Sequence, residues 1–376
     1  MSELIYYVGP FSFPNGGAAA RRIYGNIKSL REIGYEVKVI DGQAIIDKSE
    51  YDDIEVISVG ERPSQHVSLY QKIFQYLNIG NKTIEFIKNG EKKPRFIILY
   101  SGYSPYLIRL LPFCKDNNIK LIFDCVEWYQ PKSFLEYLYK PYYWNVEFAM
   151  RSLIPMCDGV ICISKFLNQF YTEKGCKTII IPPTLDFDAL PLKYLSQGDE
   201  KCSRIKLVYT GNPGHKDLLD EIVNVVKSFD SKLELNIAGI DGINSNNIKY
   251  HGYLEHDQAI RLVSDSHFSI LLRPLNKTSM AGFSTKVVES MACATPVISN
   301  NTGDLSNYIL DGQNGYIFDG STSALLVETL NQVCEDYDLS KYKEISMSAY
   351  ITASKSFNYQ SDSTVHLFTD FFSKMD

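Results

Sequence analysis

Three segments combine glycines, cations and carboxylates at spacings that could handle an anion. The first is Pro10-Phe11-Ser12-Phe13-Pro14-Asn15-Gly16-Gly17, running into Ala18-Ala19-Ala20-Arg21-Arg22. Asn15 is suited to cap a helix, and Gly16 and Gly17 let an anion approach that helix's N-terminus. The spacing is not GxGxxG and no P-loop Lys-Ser/Thr follows, which argues against dinucleotide binding and ATPase chemistry. A bare strand-to-helix turn of small residues is the plain alternative.

The second segment is Tyr209-Thr210-Gly211-Asn212-Pro213-Gly214-His215-Lys216-Asp217. Here glycines and a lysine end a strand and open a helix, and Lys216 could neutralise a diphosphate. The plain alternative is a solvated lysine in a capping turn. The third runs from Phe268 through Arg273-Pro274 to Phe283-Ser284-Thr285-Lys286-Val287-Val288-Glu289-Ser290-Met291-Ala292. Ser284 or Thr285 can cap the helix, whose N-terminus is expected to face the other domain. Lys286 and Glu289 are three apart and share a helix face, so a surface ion pair is the plain reading.

Other chemistry-bearing residues point away from metal. Asp186-Phe187-Asp188 and Asp336-Tyr337-Asp338 spell DxD, but neither follows a strand of a Rossmann-like core. None of the six histidines pairs with another at i, i+4 around a carboxylate, and none of the eight cysteines forms CxxC. No metal site is expected, and the cysteines read as reduced core thiols.

The elements that must position these segments alternate along the whole chain. Strand-like runs fall at 4–9, 36–41, 54–59, 95–100, 120–125, 159–164 and 178–182, then at 205–211, 233–239, 248–253, 268–273, 295–300 and 315–318. Helical patterns lie between them, at 18–33, 66–89, 104–117 and 165–174, and then at 217–229, 256–264, 284–293 and 322–336. Strand, helix, strand repeated in two series predicts two doubly wound α/β domains with parallel sheets. The expected boundaries are 1–187 and 204–355, joined by a linker over 188–203 with no clear period. The tail, 356–376, reads as one amphipathic helix that either ends the second domain or packs back on the first. Charge changes across the linker: residues 1–187 hold 22 basic and 20 acidic side chains, and residues 188–376 hold 16 and 24.

Composition bounds the function. Among 376 residues, 45% are apolar and 22% charged, which fits two globular domains and excludes disorder. The net charge of −6 offers no basic footprint for nucleic acid. No apolar run approaches the roughly 18 residues needed to span a bilayer, and the first apolar run, 4–9, is expected to be a strand and not a signal peptide. Residues 128–148 hold both tryptophans and many tyrosines, near Lys132, Lys140 and Arg151, and 62–93 is basic. These features suit a helix lying on a membrane surface or an aromatic helix packed at a cleft wall.

The chain also resembles a known family. Tyr209-Thr210-Gly211, Lys216, Phe283, the block Glu289-Ser290-Met291-Ala292 with Pro296-Val297-Ile298, and Asp311-Gly312-Gln313-Asn314-Gly315 resemble the donor-binding half of a GT-B glycosyltransferase. The likeness is greatest to the retaining family 4 type, glycosyltransferase group 1. In the first half, Gly16-Gly17, Ile161-Cys162-Ile163-Ser164 and Ile181-Pro182-Pro183-Thr184-Leu185-Asp186 are similar to family segments. The departures are Ala281 where the family often has a first glutamate, Asn212 where it often has arginine, and no histidine after 120–125. Arg273 or Lys286 could replace the missing positive charge.

The resemblance implies two Rossmann-like domains facing across a cleft, the first holding the acceptor and the second the donor. It implies transfer of a sugar from a nucleotide diphosphate sugar, UDP-linked, to a glycan or polyprenyl-linked acceptor, with retention of configuration. Lys216 would stabilise the departing diphosphate, with Gly211 and Asn212 beside it. Backbone N–H groups of Phe283, Ser284 and Thr285 would hold phosphate, Glu289 would take the ribose hydroxyls, and Tyr253 and Leu254 would border the base. Glu127 is the candidate acceptor-side contact. No cofactor or metal is implied. The expected setting is bacterial surface polysaccharide synthesis in the cytoplasm, peripheral on the inner face of the cell membrane. Two alternatives stay open: a non-catalytic subunit assisting an active homologue, and a sugar-nucleotide epimerase on the same fold.

Overall fold

A computed structural model describes residues 2–43, 45–61, 68–101, 104–131, 133–190, 204–214 and 216–375. Arg62, Lys132, His215 and most of the expected linker lie outside the described residues. The chain divides into two compact units, Met1–Thr184 with Asp362–Asp376, and Leu185–Ser361.

The first unit is an eight-stranded sheet in the order β3-β4-β2-β1-β5-β6-β7-β8. Seven of its strands are β1 (Leu4–Gly9), β2 (Glu36–Asp41), β4 (Ile54–Ser58), β5 (Phe96–Tyr100), β6 (Lys120–Cys125), β7 (Gly159–Cys162) and β8 (Thr178–Ile180). All these neighbours pair in parallel, with Ile5 opposite Val37 and Phe96 opposite Lys120. Every residue of β1 is buried, which is why it reads as a continuous apolar run and not an alternating one.

The edge strand β3 (Asp47–Tyr51) has no counterpart in the sequence expectations. Its sequence, Asp-Lys-Ser-Glu-Tyr, is polar and wholly exposed, and it pairs antiparallel with β4. Asp52 and Asp53, with φ of 48° and 59°, make the two-residue turn between them. Lys48 reaches across to Glu55 at 2.7 Å. A charged edge of this kind also discourages pairing with other chains.

Helix α1 (Ala18–Glu32) opens at Gly17, with φ of 63° and no side-chain cap, so Asn15 is not the cap expected of it. The single helix expected over 66–89 is two. Ser68 caps α2 (Leu69–Asn78), and Gly80, at φ 94°, separates it from α3 (Asn81–Lys88). After α4 (Ser104–Asp116), the aromatic segment forms two short helices, α5 (Phe134–Tyr139) and α6 (Pro141–Phe148). Trp128 is buried there, its indole N–H donating to Glu147 at 2.7 Å, whereas Trp144 is half exposed. Helix α7 (Lys165–Thr172) follows β7.

The second unit is a six-stranded parallel sheet, β11-β10-β9-β12-β13-β14. The strands are β9 (Ile205–Thr210), β10 (Leu233–Ala238), β11 (Ile248–Tyr250), β12 (Phe268–Leu271), β13 (Val297–Asn300) and β14 (Gly315–Phe318). Helices α8 (Leu219–Lys227), α9 (His256–Ser264), α10 (Lys277–Ala281), α11 (Thr285–Ala292) and α12 (Ser323–Asp336) connect them. The sequence reading lacks α10 and the long α13 (Leu339–Ser356), which packs on α11. The tail is not one helix over 356–376. The chain breaks after α13, and α14 (Asp362–Ser373) belongs to the first unit. There it packs on α1 and β8, with the Phe372 ring 4.9 Å from that of Phe96.

Candidate functional site

Ligands of open α/β sheets bind at the carboxyl ends of the strands. In the second unit that edge is built around two touching glycine turns. Gly211 ends β9 with φ 91° and Gly239 ends β10 with φ 103°. A Cβ on Gly239 would sit 2.7 Å from the Gly211 backbone, so only hydrogen fits between the strands there. The Gly239 N–H donates to the carbonyl of Gly252 at 2.8 Å, which ties in the turn bearing Tyr253 and Leu254. Tyr253 is 81% exposed, free of any core duty.

After Gly211, the Asn212 side chain accepts from the Gly214 N–H at 2.8 Å, so this residue shapes a turn. Lys216 and Asp217 both donate their N–H groups to the Pro213 carbonyl, and Lys216 is half-buried. Leu218 N–H then bonds the carbonyl of Leu272 at 2.8 Å, stitching this loop to the end of β12.

That stitch brings Asp217 to a group of charges. Its Oδ2 accepts from Lys286 Nζ at 2.6 Å and from the Tyr209 hydroxyl at 2.6 Å. Its Oδ1 lies 3.2 Å from Arg273 Nε, outside hydrogen-bond alignment, so this contact is one of charge. Arg273 is only 6% exposed, and its backbone is clamped twice by the Asn300 side chain, at 2.9 and 2.8 Å. Burial, then the neighbouring Asp217 carboxylate, pushes the Tyr209 phenol well above its usual pKa and keeps it neutral. Lys286 lies over the Tyr209 ring, Nζ 4.9 Å from its centre.

Lys286 therefore engages Asp217, and the Lys286–Glu289 surface pair of the plain reading gives way to a buried carboxylate from another loop. Glu289 itself is 9% exposed, one turn further along α11. Ser284 stands at the N-cap of α11 without a side-chain cap bond, and Thr285 is the first helical residue. The cap expected of Ser284 or Thr285 is thus not made. Phe283 packs edge-on against Tyr308 and Phe357, with centroids 5.5 and 5.8 Å apart.

The structure thus gathers Gly211, Asn212, Lys216, Arg273 and Lys286 at one strand-end edge, with the Tyr253–Leu254 turn joined through Gly239. Asp217 is the functional candidate that sequence reasoning missed. Its signal was a carboxylate directly after a candidate cation, but it read as an ordinary helix start.

Gly16, Gly17 and Glu127 lie in the first unit. A Cβ on Gly16 would sit 2.0 Å from the Ser12 carbonyl oxygen, so that loop folds tightly on itself. Glu127 lines a cavity of about 160 Å³ with Tyr100, Ser101, Tyr129 and Tyr142, past the ends of β5 and β6. Beneath it, Arg22 and Asp124 form a buried ion pair joined by Tyr7 and Asn26. Burial alone would lower the Arg22 pKa, but the Asp124 carboxylate more than reverses this and raises it.

The DxD segments have other work. Asp338 caps α13, accepting from the N–H groups of Ser340 and Lys341, and Asp336 pairs with Lys341 at 3.1 Å. Asp186 accepts from the Asp188 N–H at 3.0 Å. Among the described residues, no three His, Cys, Asp or Glu side chains are grouped to hold a metal. Among them, too, no helix is long and apolar enough to cross a membrane.

This architecture is the GT-B fold of two Rossmann-like α/β units. Residues 207–350, within the second unit, match the family described as glycosyl transferases group 1. The whole chain is similar to a Klebsiella pneumoniae protein described as an uncharacterized 41.2 kDa protein in the cps region, 23% identical over 90% of this chain and 98% of that one. Among solved structures it is similar to sucrose-phosphate synthase from Thermosynechococcus elongatus, with a TM-score of 0.76 and 14% identity over 99% of both chains. It is also similar to Anabaena HepE in complex with UDP and glucose, with a TM-score of 0.65 and 14% identity over 99% of this chain and 100% of that one. The family match spans most of the second unit.

Proposed function

We propose that the protein is a retaining glycosyltransferase. It takes a sugar from a UDP-linked donor held by the second unit and passes it to a glycan or polyprenyl-linked acceptor held by the first. The observation that carries this reading is the strand-end group of Lys216, Arg273 and Lys286 inside the stretch matched to the group 1 family. As the bond from the sugar's C1 to the diphosphate oxygen breaks, charge grows on the leaving group. Fixed cations in a partly dry site meet that charge most strongly in the transition state.

In this reading Lys216 contacts the diphosphate, and the N–H groups of Phe283, Ser284 and Thr285 hold phosphate at the start of α11. Glu289 accepts from the ribose hydroxyls, and Tyr253 and Leu254 border the base. The acceptor oxygen bonds to C1 on the face the diphosphate leaves, and its proton passes to a diphosphate oxygen, so no protein nucleophile is required. Glu127 contacts the acceptor. The UDP of the Anabaena structure supports the choice of nucleotide. The cps-region relative supports a place in bacterial surface polysaccharide synthesis. Tyr70, Phe74, Leu135 and Tyr139, each at least 67% exposed, support a cytoplasmic enzyme peripheral on the inner membrane face.

The test is a panel of sugar nucleotides incubated with the protein and lysate acceptors. Acceptor-dependent release of nucleoside diphosphate from one donor is the expected result. Binding without release would favour a non-catalytic subunit, and conversion of the sugar nucleotide without acceptor would favour an epimerase.

A further inference from the structure

Asp217 places a carboxylate at the edge proposed to bind an anionic donor. Its side chain is 3% exposed, yet it stands at the strand-end edge beside the cations proposed to meet the diphosphate. A carboxylate in the open would repel a phosphate. One that is buried and faces two cations instead decides where those cations stand. We infer that Asp217 is a positioning residue that holds the Lys286 ammonium beside Gly211 as a phosphate grip. The inference rests on reading this edge as the nucleotide-sugar site.

Three observations support it. The charges do not cancel: Arg273 and Lys286 bring two positive charges, Asp217 one negative, and Tyr209 stays neutral. A network that served only to hold the loops together would close on itself. The four groups in contact around Asp217 carry a net positive charge, which suits an anion. The two cations also differ in access. Arg273 is at the floor with its backbone clamped, whereas the Lys286 side chain is 21% exposed. The accessible cation is thus the one whose position Asp217 sets.

The third observation is how the ammonium is held. A lysine ammonium has three N–H donors. One goes to Asp217 Oδ2, and the Tyr209 ring lies to one side. The ammonium therefore need not leave Asp217 to meet a phosphate. Its stem crosses the Gly211 turn so closely that a Cβ on Gly211 would come within 3.3 Å of Lys286 Cε. Without Asp217, a long lysine stem is free to rotate, and a ligand must order it on binding.

The experiment is calorimetric titration. UDP, ADP, GDP and dTDP are first screened against the wild-type protein, and the one that binds is compared with its parent nucleoside. The comparison is made for wild type, Asp217→Asn, Lys286→Gln and the double variant. We expect Asp217→Asn to weaken the nucleoside diphosphate about tenfold, a loss of preorganisation, and to leave the nucleoside unchanged. In the Lys286→Gln background the same substitution should add nothing, because the two residues act as one unit. Should Asp217→Asn fail to fold, Asp217→Glu, which keeps the charge but moves it by one methylene, carries the same comparison. Unchanged or tighter diphosphate binding, equal loss of nucleoside and diphosphate, or a full effect in the Lys286→Gln background overturns the role given to Asp217. A wild type that binds none of the four diphosphates overturns the nucleotide reading itself.

Discussion

The Arg22 guanidinium and the Asp124 carboxylate meet at two points inside the first unit. Nη2 lies 2.7 Å from Oδ1, and Nε lies 3.1 Å from both oxygens. The pair joins α1 to the end of β6. Arg22 Nη1 also donates to the carbonyls of Ile181 and Pro182, and so fixes the chain as it leaves β8. With exposures of 4% and 0%, neither charge can turn to water if its partner is lost. Arg22→Ala or Asp124→Asn should therefore each destabilise the protein by about 3–5 kcal/mol. Replacing both residues with apolar side chains of similar volume should cost less than either single change. Urea denaturation of the three variants checks this, and single variants within about 1 kcal/mol of wild type would contradict it.

The buried thiols predict how stability falls in alkali. Burial pushes the Cys114 and Cys125 thiols up to about 12. An unfolded thiol loses its proton near 8.5, so the folded state is the one that favours the protonated form. This contribution to stability is fully present below about pH 8.5 and is lost as pH rises from there towards 12, at up to about 1.4 kcal/mol per pH unit for each thiol. The stability of Cys125→Val should fall less steeply between pH 8 and 10.5 than that of wild type. Parallel slopes would show that Cys125 does not titrate in the unfolding equilibrium.

Much of this molecule was legible in its sequence, for reasons that also explain the misses. Strands such as β1 and β5 announce themselves because burial on both faces demands unbroken apolar runs. β3 could not, since its stability comes from pairing with β4 and from ion pairs and not from burial. α13 is rich in Ser, Tyr and Ile, which are ordinary or poor helix formers, and it stays helical by packing on α11. At the site, the glycines and cations were visible as residue types at strand ends. Which carboxylate they would meet was not. Asp217 reaches Lys286 across 69 residues, and Asp124 reaches Arg22 across 102.

Lys216 and Glu289 should fail in different ways. If Lys216 meets the departing diphosphate as proposed, Lys216→Ala should lower turnover by about 10² or more, because that charge is largest in the transition state. Glu289→Ala should raise KM more than it lowers kcat, since a ribose contact is made equally in the ground and transition states. Steady-state kinetics with saturating acceptor separates the two. Turnover of Lys216→Ala within about threefold of wild type would leave Lys216 a surface residue.

Activity should survive chelation. In the function proposed above, Lys216, Lys286 and the start of α11 would bring to the diphosphate the positive field that a metal would otherwise supply. Assays in EDTA should match those without it. Complete loss, restored by Mn²⁺ or Mg²⁺, would refute metal-free transfer and return attention to the acidic segments.

Ala281 decides between an active enzyme and a lapsed one. It is the last residue of α10 and is 0% exposed. The turn it leads into is tight: a Cβ on Gly303 would come within 3.0 Å of the Gly282 carbonyl oxygen and 3.4 Å of that of Ser279. If a missing glutamate were a lesion, restoring it should restore activity. The packing argues otherwise. A glutamate at 281 must find room for four more heavy atoms and a charge where a methyl is already enclosed. Overpacking alone costs about 1–3 kcal/mol, and burying an unpaired carboxylate adds to it. Ala281→Glu should therefore lower the melting temperature and leave turnover no higher than wild type, whereas Lys286→Gln, whose amide can still donate to Asp217, should lower turnover. Measuring nucleotide release and thermal unfolding on the same preparations tests both halves. A silent wild type awakened by Ala281→Glu would mean that the chain has lost its chemistry and serves an active partner.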